Sequence, residues 1–462
     1  MSFDWGEVRR EAVQVLADLI RLDTQNPPGN EKAAADYLAA KLAAEGIEPR
    51  LFEAAPKRTN VVARLKGNGT APPLLLSAHL DVSPPRAEAW THPPFAATEA
   101  DGYLWGAGAT SMKYAAAQAL AIMAVLKRTG VALKRDLIFA GVADKVQGGA
   151  LGAGYLVDSH RDQIQAEFCL TERGGMVMPL LGQSLALVGT ATKGFEWLRV
   201  RVRGKPGFGR EPNPESAFAR LVHGLHRFAN GRMGFELCGA TNACLGEVGA
   251  GAGGWGGLVV SLLRSPITAP LALRMMNGEK RRWLEAALYH TAVVTGLSGG
   301  DTRLASVVAD EAGAVIDGRY LPTLGRERFV SRLEATLGHE AELLSLCGLP
   351  PTDFPRRSEL MTAIIRGVRG HEPNARVVPF LVPDFTDAAH YVRAGVISYG
   401  FFPVRLQEDE AFLSMADAPD ERLSVQGFGD GLEILYDVVL EMCGLEPHKS
   451  GPVARPAIPA PT

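Results

Sequence analysis

Between Asp4 and Leu170, apolar runs of strand length alternate with longer runs whose apolar residues recur at helical spacing. In Asp4–Leu22, the residues Val8, Ala12, Val15, Leu16, Leu19 and Ile20 share one helical face; a second helical run, Glu31–Ala44, stops at Gly46. Asn60–Leu65, Leu74–Ala78, Asp136–Val142 and Glu167–Leu170 read as buried strands, with helical stretches at Lys113–Lys127 and Ala150–Val157 between them. Strands joined in this way by crossover helices imply an α/β fold, a mainly parallel sheet with helices on both faces.

The pattern changes near Thr190. Phe195–Val202 alternates like a half-exposed strand, and Pro214–Phe228 is helical. The glycine-rich passage Val248–Gly257 follows, then a strand at Ala314–Tyr320 and a helix at Arg326–Leu337. This reads as a smaller α+β insert over 190–349. Alternation resumes with a helix at Ser358–Val368, a strand at Val396–Phe402 and a last helix at Gly427–Cys443. The expected organisation is therefore a split main domain, 1–189 and 350–446, interrupted by the insert. The last 16 residues, from Pro447, hold five Pro and are expected to be disordered.

Composition narrows the functional classes. With 47% hydrophobic and 21% charged residues among 462, the chain has the apolar content of a packed protein. A net charge of −3 gives no chain-wide footprint for nucleic acid or an anionic membrane. Five Cys, an odd number without close pairing, do not form a disulfide framework, and a reducing cytoplasm is expected. The charged start of the chain argues against export. No uncharged apolar run reaches the ~18 residues of a membrane span.

Ligands of an open parallel sheet bind beyond the carboxyl ends of its strands. Polar residues stand at three such ends: His79 with Asp81, Asp144 with Lys145, and Glu172 with Arg173; Ser111 precedes a helix. His79 and Asp81, two apart on extended chain, point the same way. That pair suits a metal-binding imidazole steered by a carboxylate, and equally a plain hydrogen-bonded pair.

The stretches Leu76-Ser-Ala-His-Leu-Asp-Val82, Trp90-Thr-His-Pro-Pro-Phe95 and Asp101-Gly-Tyr-Leu-Trp-Gly-Ala-Gly108 carry a further signal. So do Asn26-Pro-Pro-Gly-Asn-Glu31, Lys193-Gly194, Val315-Ile-Asp-Gly-Arg319, Thr386-Asp387 and Asp420-Glu-Arg422. Together they resemble the two-zinc aminoacylase and carboxypeptidase family, which includes acetylornithine deacetylase, succinyl-diaminopimelate desuccinylase and glutamate carboxypeptidase. The resemblance implies a zinc-binding α/β domain with an inserted α+β lid that often mediates dimerisation, so a homodimer is expected.

Carried over position by position, the resemblance implies that His79 binds the first zinc and Glu172 is its carboxylate ligand. The bridging Asp falls on Ser111, the general-base Glu on Lys145, the adjacent zinc-binding Glu on Val146, and the last His on Asp417. In the lid, the usual His is Phe208 and the usual Asn is Ser306; the Arg that often follows Thr-Asp-Ala is Ala389. Tyr114 stands where Gly is usual and is expected to fill space left by the metals. Arg319 and Asp317 read as structural within their strand.

Two zinc ions need closely placed, deprotonated ligands. A serine hydroxyl cannot replace a bridging carboxylate, valine has no donor atom, and the Lys145 ammonium would sit among the cations. Of the inherited positions only His79, Glu172 and Asp417 can still coordinate, at most one weak single-metal site. No cofactor is expected. Lys145 is expected either to neutralise Glu172 and Asp417, to serve Ser111 as a base, or to orient a small polar substrate alongside Glu172, Asp417 and His79. Asp81, Tyr114, Phe208 and Ser306 are candidate substrate contacts. The functions open at this point are a metal-independent enzyme acting on a small amino-acid-derived or acyl-amine substrate in a biosynthetic pathway, a non-catalytic ligand or partner binder, and a residual single-metal amide hydrolase.

Overall fold

The computed structural model describes residues 3–227, 231–276, 278–338, 340–407, 410 and 415–446. The tail from Pro447 lies outside these residues, as does the expectation of disorder made for it.

The apolar runs form the centre of an eleven-stranded, mainly parallel sheet. Leu74–His79 lies between Leu137–Val142 and Phe168–Thr171, parallel to both, and every residue of the three strands is buried. Burial on both faces explains why these runs are continuously apolar rather than alternating. Ile397–Gly400 continues the parallel order, and antiparallel strands flank it, with Arg58–Leu65 on one side and Gln183–Thr192 on the other. Helix Lys113–Thr129 packs on one face, buried on every side as far as Leu126. It shares that core with Trp5–Arg21, Glu359–His371 and Val425–Met442. Ala153–Ser159 and Ala388–Tyr391 cover the other face.

The first helix shows how local sequence sets a boundary. Asp4 is its N-cap, its side chain accepting from the Gly6 N–H, and Val8, Ala12, Val15, Leu16, Leu19 and Ile20 are all buried.

A second, five-stranded antiparallel sheet is built from Arg232–Phe235, Tyr289–Gly299, Glu311–Tyr320, Gly194–Arg203 and Ala341–Leu349. Helices Ala217–His226 and Arg326–Leu337 close one face around Leu198, Val200, Ile316 and Phe329. The glycine-rich passage behaves differently from the rest of the insert. Gly239–Gly251, Gly254–Leu262, Ala269–Arg274 and Gly278–Leu288 are helices, and their Cys244, Leu245, Val248, Val260, Leu263 and Leu273 join the core of the main sheet. Alanine and glycine there leave too weak an apolar period to read as helix. Among the described residues no helix is long and apolar enough to cross a membrane.

Candidate functional site

The strand ends come together below the second sheet, where Arg319 reaches Asp384 and the Phe195 ring meets that of Phe385. His79 closes its strand, and its Nδ1 faces the Asp81 backbone oxygen at 3.0 Å and Oδ1 at 3.2 Å. Asp81 is itself pinned, accepting from the Val146 N–H at 2.9 Å, the Lys145 N–H at 3.2 Å and the Asn26 amide at 2.9 Å. It therefore orients the imidazole and holds the Lys145 turn. The opposite ring nitrogen of His79, Nε2, is buried with no hydrogen-bond partner among the described residues.

After strand Leu137–Val142 the chain turns through Asp144, at φ 69°, into the single turn Lys145–Gln147. Asp144 accepts from Arg58 at 2.8 Å, and Arg58 also grips the buried Glu31 with two bonds of 2.7 Å. Gly148 and Gly149 follow at φ +102° and +74°. A Cβ on Gly149 would stand 2.9 Å from Asp387 Oδ1, so glycine is required twice over, by backbone and by space. Gly149→Ala is expected to cost about 2 kcal/mol in urea unfolding.

Glu172 follows strand Phe168–Thr171 and is fully buried. Its Oε1 accepts from the Asp387 N–H at 2.8 Å, and the Thr171 hydroxyl donates to Oε2. Burial and then the Glu172 carboxylate push the Asp387 carboxyl well above its ordinary range. Ser111 donates its N–H to Glu421 at 2.6 Å, while its hydroxyl is buried with no partner among the described residues. Tyr114 is buried, and its hydroxyl donates to the Phe402 carbonyl at 3.3 Å.

The charge arrangement differs from the expected one. Lys145 does not pair with Glu172 or Asp417. Its Nζ lies 3.4 Å from Asp384 Oδ2 and 4.4 Å from the centre of the Phe385 ring. Arg173 joins the same carboxylate at 3.4 Å and also takes Asp417 at 3.1 Å. Arg319 reaches over from the second sheet, donating Nη1 to Asp384 Oδ1 while its other nitrogens hold Asp317 at 2.8 and 2.9 Å. Arg319 is thus more than a structural residue of its own strand. Three cations converge on Asp384, and they hold its carboxyl well below the usual carboxylate range despite burial. Phe385 completes the seam, its ring 4.2 Å from that of Phe195 on the second sheet.

Sequence reasoning missed Asp384 and Phe385. They follow strand Arg376–Val382, whose half-buried start hides its period. Phe208 and Ser306 neighbour each other away from this cluster: Phe208 is 53% exposed, and the Ser306 carbonyl accepts from Gly209 at 2.9 Å. No hydrogen bond or ion pair among the described residues joins either to His79, Lys145 or Glu172.

The donor set does not fit a zinc pair. Ser111, Lys145 and Val146 supply no carboxylate, Asp417 is engaged by Arg173, and among the described residues no three His, Cys, Asp or Glu side chains form a candidate metal site.

Comparison with known proteins gives a consistent picture. The model of peptidase family M20/M25/M40 matches residues 75–441. Aminoacylase-1 of Sus scrofa is 30% identical over 239 residues, covering 51% of this chain and 56% of its own, so the match spans little more than half of that relative. A probable carboxypeptidase S-like 2 of Dictyostelium discoideum is 24% identical, covering 79% of this chain and 71% of its own. Among solved structures, the M20 family metallo-carboxypeptidase Sso-CP2 of Sulfolobus solfataricus superposes with a TM-score of 0.73 at 18% identity, over 94% of this chain and all of that one. Human carnosine dipeptidase 1 gives 0.68 at 16%, over 96% and 98%.

Proposed function

Because the chain belongs to peptidase family M20/M25/M40, a family of aminoacylase- and peptidase-like hydrolases, we propose that it keeps the family's cleft for amino-acid-derived amides but binds them without a zinc pair. The observation that carries this reading is the position of Lys145 and Arg173. Both side chains lie on Asp384, placing fixed cations in the cleft where the resemblance calls for mobile ones. The Lys145 ammonium faces Asp384 and the Phe385 ring and makes no hydrogen bond to the Ser111 hydroxyl, which argues against its serving Ser111 as a base.

A second reading, metal-independent catalysis, draws support from two atoms. His79 Nε2 and Ser111 Oγ are buried and have no partner among the described residues, a costly arrangement for polar groups unless a ligand completes it. A substrate amide lodged there would meet a proton-moving imidazole whose other nitrogen is already fixed by Asp81. Homodimerisation belongs to the same proposal, supported by the exposed Val293, Leu297, Leu344 and Leu346 on the second sheet.

The test is elemental analysis after zinc saturation and gel filtration, paired with calorimetry on N-acetylamino acids. Expected are clearly fewer than about one zinc per chain and ligand binding that chelators leave unchanged. Chelator-sensitive hydrolysis with stoichiometric zinc would refute the proposal. Turnover that survives the chelator would decide for the second reading over pure binding.

A further inference from the structure

Residues 253–276 contain no Asp or Glu, yet hold Trp255, Leu258, Ile267, Leu271, Met275, Arg264 and Arg274. They form helices Gly254–Leu262 and Ala269–Arg274 and the turn between them. Their inner sides are committed, since Val260, Leu263, Ala272 and Leu273 are buried in the main core. The outer sides are apolar: Trp255 is 76% exposed, Ile267 86%, Leu271 59% and Met275 61%. Trp255 and Leu258 are three apart on one helix, and Leu271 and Met275 are four apart at the other, so each pair shares a face. Leu181, itself exposed at a hairpin tip, adds to the patch; a Cβ on Gly256 would lie 3.8 Å from its Cδ1.

An apolar surface of this kind on a protein marks a docking site. Charge selects the occupant. Arg264 and Arg274 are exposed, and the only hydrogen-bond acceptor of the Arg264 guanidinium among the described residues is the neutral Asn242 amide. A second copy meeting the patch through a twofold axis would set arginines against arginines, with no carboxylate from residues 253–276 to come between them. An anionic lipid headgroup layer supplies the missing negative charge, and its acyl boundary accepts Trp, Ile, Leu and Met. The chain-wide net charge of −3 averages over this segment and hides it.

We infer that this helical pair docks on an anionic lipid bilayer, with Trp255 and Ile267 entering the interface and Arg264 and Arg274 at headgroup level. The inference is independent of what the cleft does.

The full chain is to be sedimented with vesicles of phosphatidylcholine alone and with vesicles containing equal phosphatidylglycerol. Expected is binding to the anionic vesicles only, weakening with salt, and reduced about tenfold or more in Trp255→Ser/Ile267→Asp. Both positions are exposed, so circular dichroism should be unchanged; Arg264→Glu/Arg274→Glu, which keeps the apolar residues, should lose binding likewise. The inference fails if neither vesicle binds, if both bind equally, or if the variants bind as wild type. It also fails if the first variant turns a dimer into a monomer while vesicles have no effect, which would make the patch a self-interface.

Discussion

Asp384→Asn is expected to lower folding stability by about 3 kcal/mol, read as an earlier midpoint in urea with an unchanged slope. The amide has nearly the same shape but leaves Lys145, Arg173 and Arg319 facing one another across the domain seam. A fully buried pair would cost more when broken; Asp384 keeps 28% of its side chain accessible, and solvent screens part of the loss. Lys145→Met should cost about 1 kcal/mol, because Arg173 and Arg319 continue to neutralise the carboxylate. The acid dependence has a definite sign. The Asp384 carboxyl is depressed below its ordinary value of 3.8, so its contribution is complete above that pH and disappears as pH falls further. Wild type and Asp384→Asn should therefore converge only in strong acid, below pH 3.8. An equal loss for Lys145→Met and Asp384→Asn would mean that the cluster is not centred on Asp384.

The second large effect concerns metal. The combined variant S111D/K145E/V146E/D417H restores every ligand type that the resemblance requires. It is expected to hold about two zinc ions per chain, where wild type holds clearly fewer than about one. At free zinc about a thousandfold above the dissociation constant, its unfolding free energy should rise by about 4 kcal/mol, while wild type shows no zinc-dependent shift. Lys145→Glu alone should gain no zinc, because Ser111 still offers a hydroxyl at the bridging position. A combined variant that folds but ignores zinc would show that Arg173 and Asp384, not the four replaced residues, exclude the ions.

The parallel core was legible because burial on both faces writes itself as unbroken apolar runs, as in Leu74–His79 and Leu137–Val142. The candidate residues were legible one by one, because His79, Lys145 and Glu172 sit in short motifs at strand ends and Ser111 in one that leads into a helix. Their pairing was not. Which carboxylate Lys145 meets depends on Asp384, more than two hundred residues away in sequence, and on Arg319 from the other sheet. No periodicity records such a contact. The helices over Gly239–Leu288 escaped for a different reason: they are anchored by a few apolar residues among glycine and alanine, so tertiary packing rather than local propensity forms them.

The knot of cations around Asp384 also limits which single substitutions the site can absorb. Reverting Lys145 by itself would bring a new carboxylate beside Asp384, with only arginines already engaged to receive it. Reverting Asp417 by itself would strip Arg173 of a partner before any ion could bind. Lys145→Glu and Asp417→His, taken singly, are therefore each expected to lower folding stability, and the charge balance around Asp384 ties the two positions together.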